Sequence, residues 1–171
     1  MRLTLLPFQE RAVKTLRDTV SDAQDEYRHN NRPQVVSYTA PTGAGKTIIM
    51  SALMENIFND TAFHPAQLNT IFLWLSDSPE LNRQSMDKID RKADRIALNQ
   101  CVFIDEASFD QEEFDDGKIY FLNTQKLGKS SNLTKRSDSR QYTIWETIRN
   151  TVYVKGDRLI LLFSFIITFH F

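Results

Sequence analysis

The stretch Ala40-Pro41-Thr42-Gly43-Ala44-Gly45-Lys46-Thr47 decides the fold. It lies between an apolar run, Val35-Val36-Ser37-Tyr38, and a run of helical character, Ile48-Ile49-Met50-Ser51-Ala52-Leu53. A strand feeding a glycine-bearing turn that opens a helix is the setting of a phosphate-binding loop. Gly43 and Gly45 carry no Cβ, so the backbone there can curl tightly and take positive φ. Consecutive N–H groups of Thr42, Gly43, Ala44 and Gly45, backed by the positive end of a helix, would form a concavity for an anion. Lys46 would then reach the outer phosphate oxygens of a nucleotide, and Thr47 would offer its hydroxyl to Mg²⁺. The competing reading is a plain strand-to-helix turn with no ligand.

Ala40 stands where the general pattern G-x-x-x-x-G-K-[ST] has its first glycine. In this form the loop resembles motif I of the superfamily-2 helicases and translocases, which implies ATP as the nucleotide. Upstream, Pro7 suits the first turn of a helix whose apolar residues Phe8, Ala12, Val13, Leu16, Val20, Ala23 and Tyr27 recur at helical spacing to about Arg28. Phe8-Gln9 at its mouth resembles the Q motif of the same superfamily, in which the glutamine reads the adenine edge. On its residue type alone, Gln9 reads equally well as a solvated glutamine.

The 171 residues are enough for one domain with a real core. With 21 Lys and Arg against 22 Asp and Glu, the formal net charge is -1, so any nucleic-acid contact must be local. The single Cys101 excludes an intrachain disulfide, and no signal peptide or membrane-length apolar stretch is visible, which points to the cytoplasm.

Downstream of the loop a helix is expected to about Phe58, then the continuous apolar run Thr70-Ile71-Phe72-Leu73-Trp74-Leu75, as in a strand buried on both faces of a parallel sheet. Ser76-Asp77-Ser78-Pro79 follows and opens a helix to about Ile96, with Asp77 or Ser78 in capping position. This segment resembles the superfamily's motif Ia, which implies backbone-phosphate contacts from Ser76, Ser78 and Gln84.

Cys101-Val102-Phe103-Ile104-Asp105-Glu106-Ala107-Ser108 has two readings. Four apolar residues before Asp-Glu look like a Walker B strand, with Asp105 holding Mg²⁺ through water and Glu106 polarising the attacking water. The other reading is an acidic loop after a strand. Next comes a strand-like Lys118-Ile119-Tyr120-Phe121-Leu122 and then Asn123-Thr124-Gln125-Lys126-Leu127. That block resembles the segment before the DEAH box in the Res subunits of type III restriction enzymes, where Thr124 and Gln125 would approach nucleic acid. With the segment after Leu5, Leu73–Gln84 and Trp145-Glu146-Thr147-Ile148, the resemblance reaches about Leu161. It implies that motif II belongs on the strand beginning Asp157-Arg158-Leu159-Ile160-Leu161, yet the expected Ile-Asp-Glu-Ala-His is absent there. Leu162-Phe163-Ser164-Phe165-Ile166-Ile167-Thr168-Phe169-His170-Phe171 stands in its place, as in a truncated or frame-disrupted product.

Residues 128–140, rich in Ser and Lys, read as a mobile loop. With Lys126 they hold the only concentrated basic stretch: Lys126, Lys129, Lys135, Arg136 and Arg140. The expected fold is α/β, a parallel sheet with helices on both faces, forming an incomplete RecA-like domain over 1–162 with an apolar tail at 163–171. The resemblance implies the ATP-binding part of a DNA helicase or translocase, with DNA as partner, a modification methyltransferase subunit as a further one, and no membrane. Two other classes stay open: a stand-alone P-loop ATPase using Asp105 and Glu106, and a non-catalytic remnant.

Overall fold

The computed structural model describes residues 4–163 and 167–170. In chain order the elements are α1 (Pro7–Asn30), β1 (Val35–Tyr38), α2 (Lys46–Phe58), β2 (Ile71–Ser76), α3 (Pro79–Lys92), β3 (Cys101–Phe103), β4 (Ile119–Asn123), α4 (Ile144–Lys155), β5 (Leu159–Phe163) and β6 (Ile167–His170). The helix starts follow local chemistry. Pro7 occupies the first turn of α1, the Ser78 hydroxyl accepts from Leu81 N–H, and Thr143 with Glu146 forms a reciprocal capping box on α4.

The strands lie in the order β1-β6-β5-β2-β4-β3. β2 is parallel to β4 and β5, and β3 to β4, while β6 runs antiparallel to both β1 and β5. β1 therefore points the same way as β2 to β5, as expected of a parallel sheet, and β6 alone runs against them. Only residues 164–166 separate β5 from β6, too few for the crossover of a dozen or more that a parallel neighbour requires. Of the expected tail, 167–170 form β6, while 164–166 and 171 lie outside the described residues.

β2 and β4 are buried at every position, as strands in mid-sheet must be. On one face Phe72, Trp74, Phe121, Ile160 and Leu162 pack under α1, α2 and α3; on the other, Ile71, Leu73, Leu75, Tyr120, Leu122 and Leu159 pack under α4 and residues 104–133. The alternation Leu159 and Ile160 to opposite faces shows why so apolar a segment is stable here: both sides of β5 are covered. α2 is apolar nearly all round because it is wedged in the first layer, from Ile49 to Phe58. Among the described residues no helix is long and apolar enough to cross a membrane.

Candidate phosphate-binding site

β1 delivers the chain to the carboxyl edge of the sheet, where ligands bind in open α/β folds. There Gly43 and Gly45 take φ of +85° and +78°, the left-handed conformation only glycine adopts freely. The turn is closed by Ala44 N–H donating to the Pro41 carbonyl at 3.2 Å. Gly45 is the N-cap of α2, and no side chain caps that helix, so its first N–H groups are left to an anion. Lys46 Nζ donates to the Ala40 carbonyl at 2.7 Å, parked across the mouth of the loop. A cleft of about 500 Å³ opens here, lined by Thr42, Gly43, Gly45, Lys46, Thr47, Ile48 and, from α3, Lys88. A larger cavity, about 630 Å³, lies between the end of α1 and α4 beside Tyr27, Tyr153 and Leu161. Among its described lining residues Arg149 is the one that carries a charge, so size does not make it the site.

Gln9 reaches this loop from α1. Its Nε2 donates to the Ala44 carbonyl at 3.1 Å, its Oε1 accepts from Leu6 N–H at 3.0 Å, and it is only 6% exposed. The solvated reading of Gln9 is thereby corrected: it is a buried strut beneath the loop.

Asp105 and Glu106 follow β3, the edge strand opposite β1. Five strand spacings of about 4.8 Å put them roughly 24 Å from the phosphate loop. The structure therefore does not bring this pair to the cleft. Asp105 accepts from Ala107 N–H at 3.2 Å and Ser108 Oγ at 3.0 Å. Glu106 pairs with Lys126 and accepts from Asn132 N–H at 2.7 Å, and the Lys126 contact first, then that N–H, holds its carboxyl below the usual range.

The strand two places from β1 is β5, but no residue from Leu159 to Phe171 is acidic. Among the described residues the cleft itself has no Asp or Glu, and no group of three or more His, Cys, Asp or Glu could hold a metal. Of the described residues lining the cleft, Thr47 fits Mg²⁺, with no carboxylate beside it.

The family model for the type III restriction enzyme Res subunit matches residues 2–148. The chain belongs to that family. No match was found among curated proteins or among solved structures. Membership in the Res-subunit family brings a P-loop, helicase-like domain of a kind that generally uses ATP and Mg²⁺.

The nucleic-acid residues expected of a Res-type domain fare unevenly. Ser76 is 1% exposed, its hydroxyl 2.8 Å from the Ser78 carbonyl and 2.7 Å from Asn82 Oδ1, so it cannot donate to an external phosphate. Asn82 is fully buried with Nδ2 unpartnered; with its amide turned over, one Nδ2 hydrogen would donate to Ser76 Oγ. The Ser78 hydroxyl is committed to capping α3, while Gln84 is exposed and bonded to Glu80. Thr124 and Gln125 sit in a short turn after β4 on the same carboxyl edge, with Gln125 exposed.

The basic stretch is largely spent inside the molecule. Lys126 pairs with Glu106, Arg136 with Glu146, and Arg140, 6% exposed, donates to the carbonyls of Phe109, Asn132 and Glu106. Residues 128–140 are thus a largely exposed segment anchored at buried Ser131, Leu133 and Arg140. Sequence reasoning missed Lys88, which the helical spacing of α3 could have placed beside its buried stripe Asn82, Ser85 and Ile89.

Proposed function

We propose that this chain binds ATP through Ala40–Thr47 and serves as the nucleotide-binding part of a DNA helicase or translocase of the Res-subunit kind. The observation that carries the reading is the loop itself: two left-handed glycines, an uncapped helix start and Lys46 around one cleft. Lys46 would leave the Ala40 carbonyl for the β- and γ-phosphates, Thr47 would meet a phosphate-bound Mg²⁺, and Gln9 would hold the loop or meet the adenine from below. DNA would run along the carboxyl edge, where Ser78, Gln84, Thr124 and Gln125 stand. A cytoplasmic setting and a methyltransferase partner fit this reading.

Hydrolysis should be slow, because among the described residues no carboxylate lines the cleft to activate water. Asp105 and Glu106 are better explained as the lock on residues 105–140, which disfavours the stand-alone ATPase. The test is thermal unfolding of the chain with and without Mg²⁺-ATP, beside Lys46→Ala and a phosphate-release assay. Ligand at about 100 times its Kd should add about 2.7 kcal/mol of stability. Lys46→Ala should abolish that gain, and phosphate release should stay near background. No stabilisation by ATP would overturn the reading in favour of a remnant, and release sensitive to Glu106→Gln would restore the stand-alone ATPase.

A further inference from the structure

Among the described residues two lysines and no acid line the phosphate cleft. Lys46 opens α2, and Lys88 comes from the middle of α3, flanking the buried stripe Asn82, Ser85 and Ile89 by which α3 packs against its neighbours. That flank puts the exposed Lys88 on the wall of the cleft that Thr47 and Ile48 also line, so its ammonium can extend into it. Among the described residues Lys88 has neither an ion pair nor a hydrogen bond, unlike Lys126, Lys155 and Arg158, which are all paired. A cation left without a partner, facing a cradle of main-chain donors, is available to an anion.

The missing carboxylate matters to the same argument. A triphosphate carries several negative charges, and in P-loop sites Mg²⁺ held by a loop hydroxyl and an acidic residue neutralises part of them. Here the hydroxyl is present and the acid is not, while an extra lysine is. We propose that Lys88 is a second cation for the polyphosphate and takes over part of the neutralisation that a carboxylate-anchored Mg²⁺ provides elsewhere. The proposal rests on the nucleotide-binding reading above. It makes Lys88 a binding residue for the outer phosphates and makes ATP affinity only weakly dependent on divalent metal.

The experiment is equilibrium binding of ATP and ADP to the full chain, in excess Mg²⁺ and in EDTA, for the unsubstituted protein, Lys88→Gln, Lys88→Arg and, as a charge-matched control on the same helix, Lys92→Gln. Expected are ATP affinities within about threefold with and without Mg²⁺. Lys88→Gln should weaken ATP by roughly five- to tenfold, below the scale of a buried charge-assisted hydrogen bond because Lys88 is exposed to solvent, and weaken ADP less. Lys88→Arg should retain most of the affinity, and Lys92→Gln should change nothing. If the unsubstituted chain binds ATP but Lys88→Gln binds as well as Lys92→Gln, or if binding vanishes in EDTA, the role of Lys88 is overturned while the phosphate loop stands. If the unsubstituted chain binds neither nucleotide in either buffer, the underlying reading falls and this inference with it.

Discussion

Gln9 Nε2 donates to the carbonyl of Ala44 at 3.1 Å, across 35 residues of sequence, so the first turn of α1 is fastened to the phosphate loop. The same amide accepts from Leu6 N–H, which fixes the start of the helix that carries it. The loop's shape is therefore set from outside as well as by its own glycines.

That contact predicts different costs for the two glycines. A Cβ on Gly43 would meet nothing within 4 Å, so Gly43→Ala should cost the left-handed backbone alone, about 1–2 kcal/mol. A Cβ on Gly45 would lie 2.7 Å from Gln9 Nε2, adding a clash with a buried, doubly bonded amide. Gly45→Ala should be the more destabilising, and Gln9→Ala should bring its cost back toward that of Gly43→Ala. Urea denaturation of the double-mutant cycle measures this coupling; strict additivity of Gly45→Ala and Gln9→Ala would refute it.

Arg140 gives the second prediction. It is buried and donates to the carbonyls of Phe109 at 3.0 Å and Asn132 at 2.6 Å, and to that of Glu106. Arg140→Met would strip three carbonyls of their donor at once and should destabilise the fold by about 2–4 kcal/mol. ATP affinity should be unchanged, since residues 105–140 sit at the far edge of the sheet from the loop. Denaturation midpoints and nucleotide titration would separate the two effects; a loss of affinity without a loss of stability would contradict the assignment.

What the sequence allowed to be read, and what it did not, follows from the range of the interactions. The phosphate loop was readable because glycine, lysine and threonine at fixed spacing carry their own geometry, and the strands at Ile71 and Ile119 because full burial demands unbroken apolar runs. The position of β3 was not readable. An apolar strand followed by Asp105-Glu106 looks the same beside β1 or at the far edge, and only strand order decides which. Likewise nothing in the composition of residues 128–140 told that Leu133 and Arg140 would anchor an otherwise exposed segment, Arg140 by carbonyls of Glu106 and Phe109 as well as Asn132. The direction of β6 was not readable, because it depends on the short connection and not on the residues of the strand.

Tyr120 is fully buried on β4, and its hydroxyl accepts from Asp115 N–H at 3.0 Å and lies 3.1 Å from Gln111 Oε1. Burial first of all pushes its pKa up to about 12. Tyr120→Phe should cost about 1–3 kcal/mol, because it leaves the Asp115 N–H without its acceptor in a partly buried site. Ultraviolet titration should show one tyrosine that resists ionisation until near pH 12 and is absent in Tyr120→Phe. A substitution without effect on stability would mean that water replaces the hydroxyl.

Glu146 links the basic segment to pH. Its carboxylate takes the Arg136 guanidinium, then the backbone N–H and hydroxyl of Thr143 at the start of α4, and its pKa falls from 4.5 to about 2. A carboxyl whose pKa is lower in the folded state stabilises that state above its ordinary value, and the contribution is lost as pH falls through the folded value. The Glu146 contribution should therefore be complete above about pH 5 and gone near pH 2. Glu106 and Asp110, both held below the usual carboxylate range, act in the same direction. Glu146→Gln can still close the capping box but carries no charge, so its denaturation midpoint should fall less steeply between pH 5 and pH 2.5 than that of the unsubstituted chain. The two curves should converge at the acid end. Added salt should narrow their separation at pH 6, because the Arg136 partner is two-thirds exposed and open to screening. Parallel curves across that window would show that Glu146 titrates alike in the folded and unfolded chain.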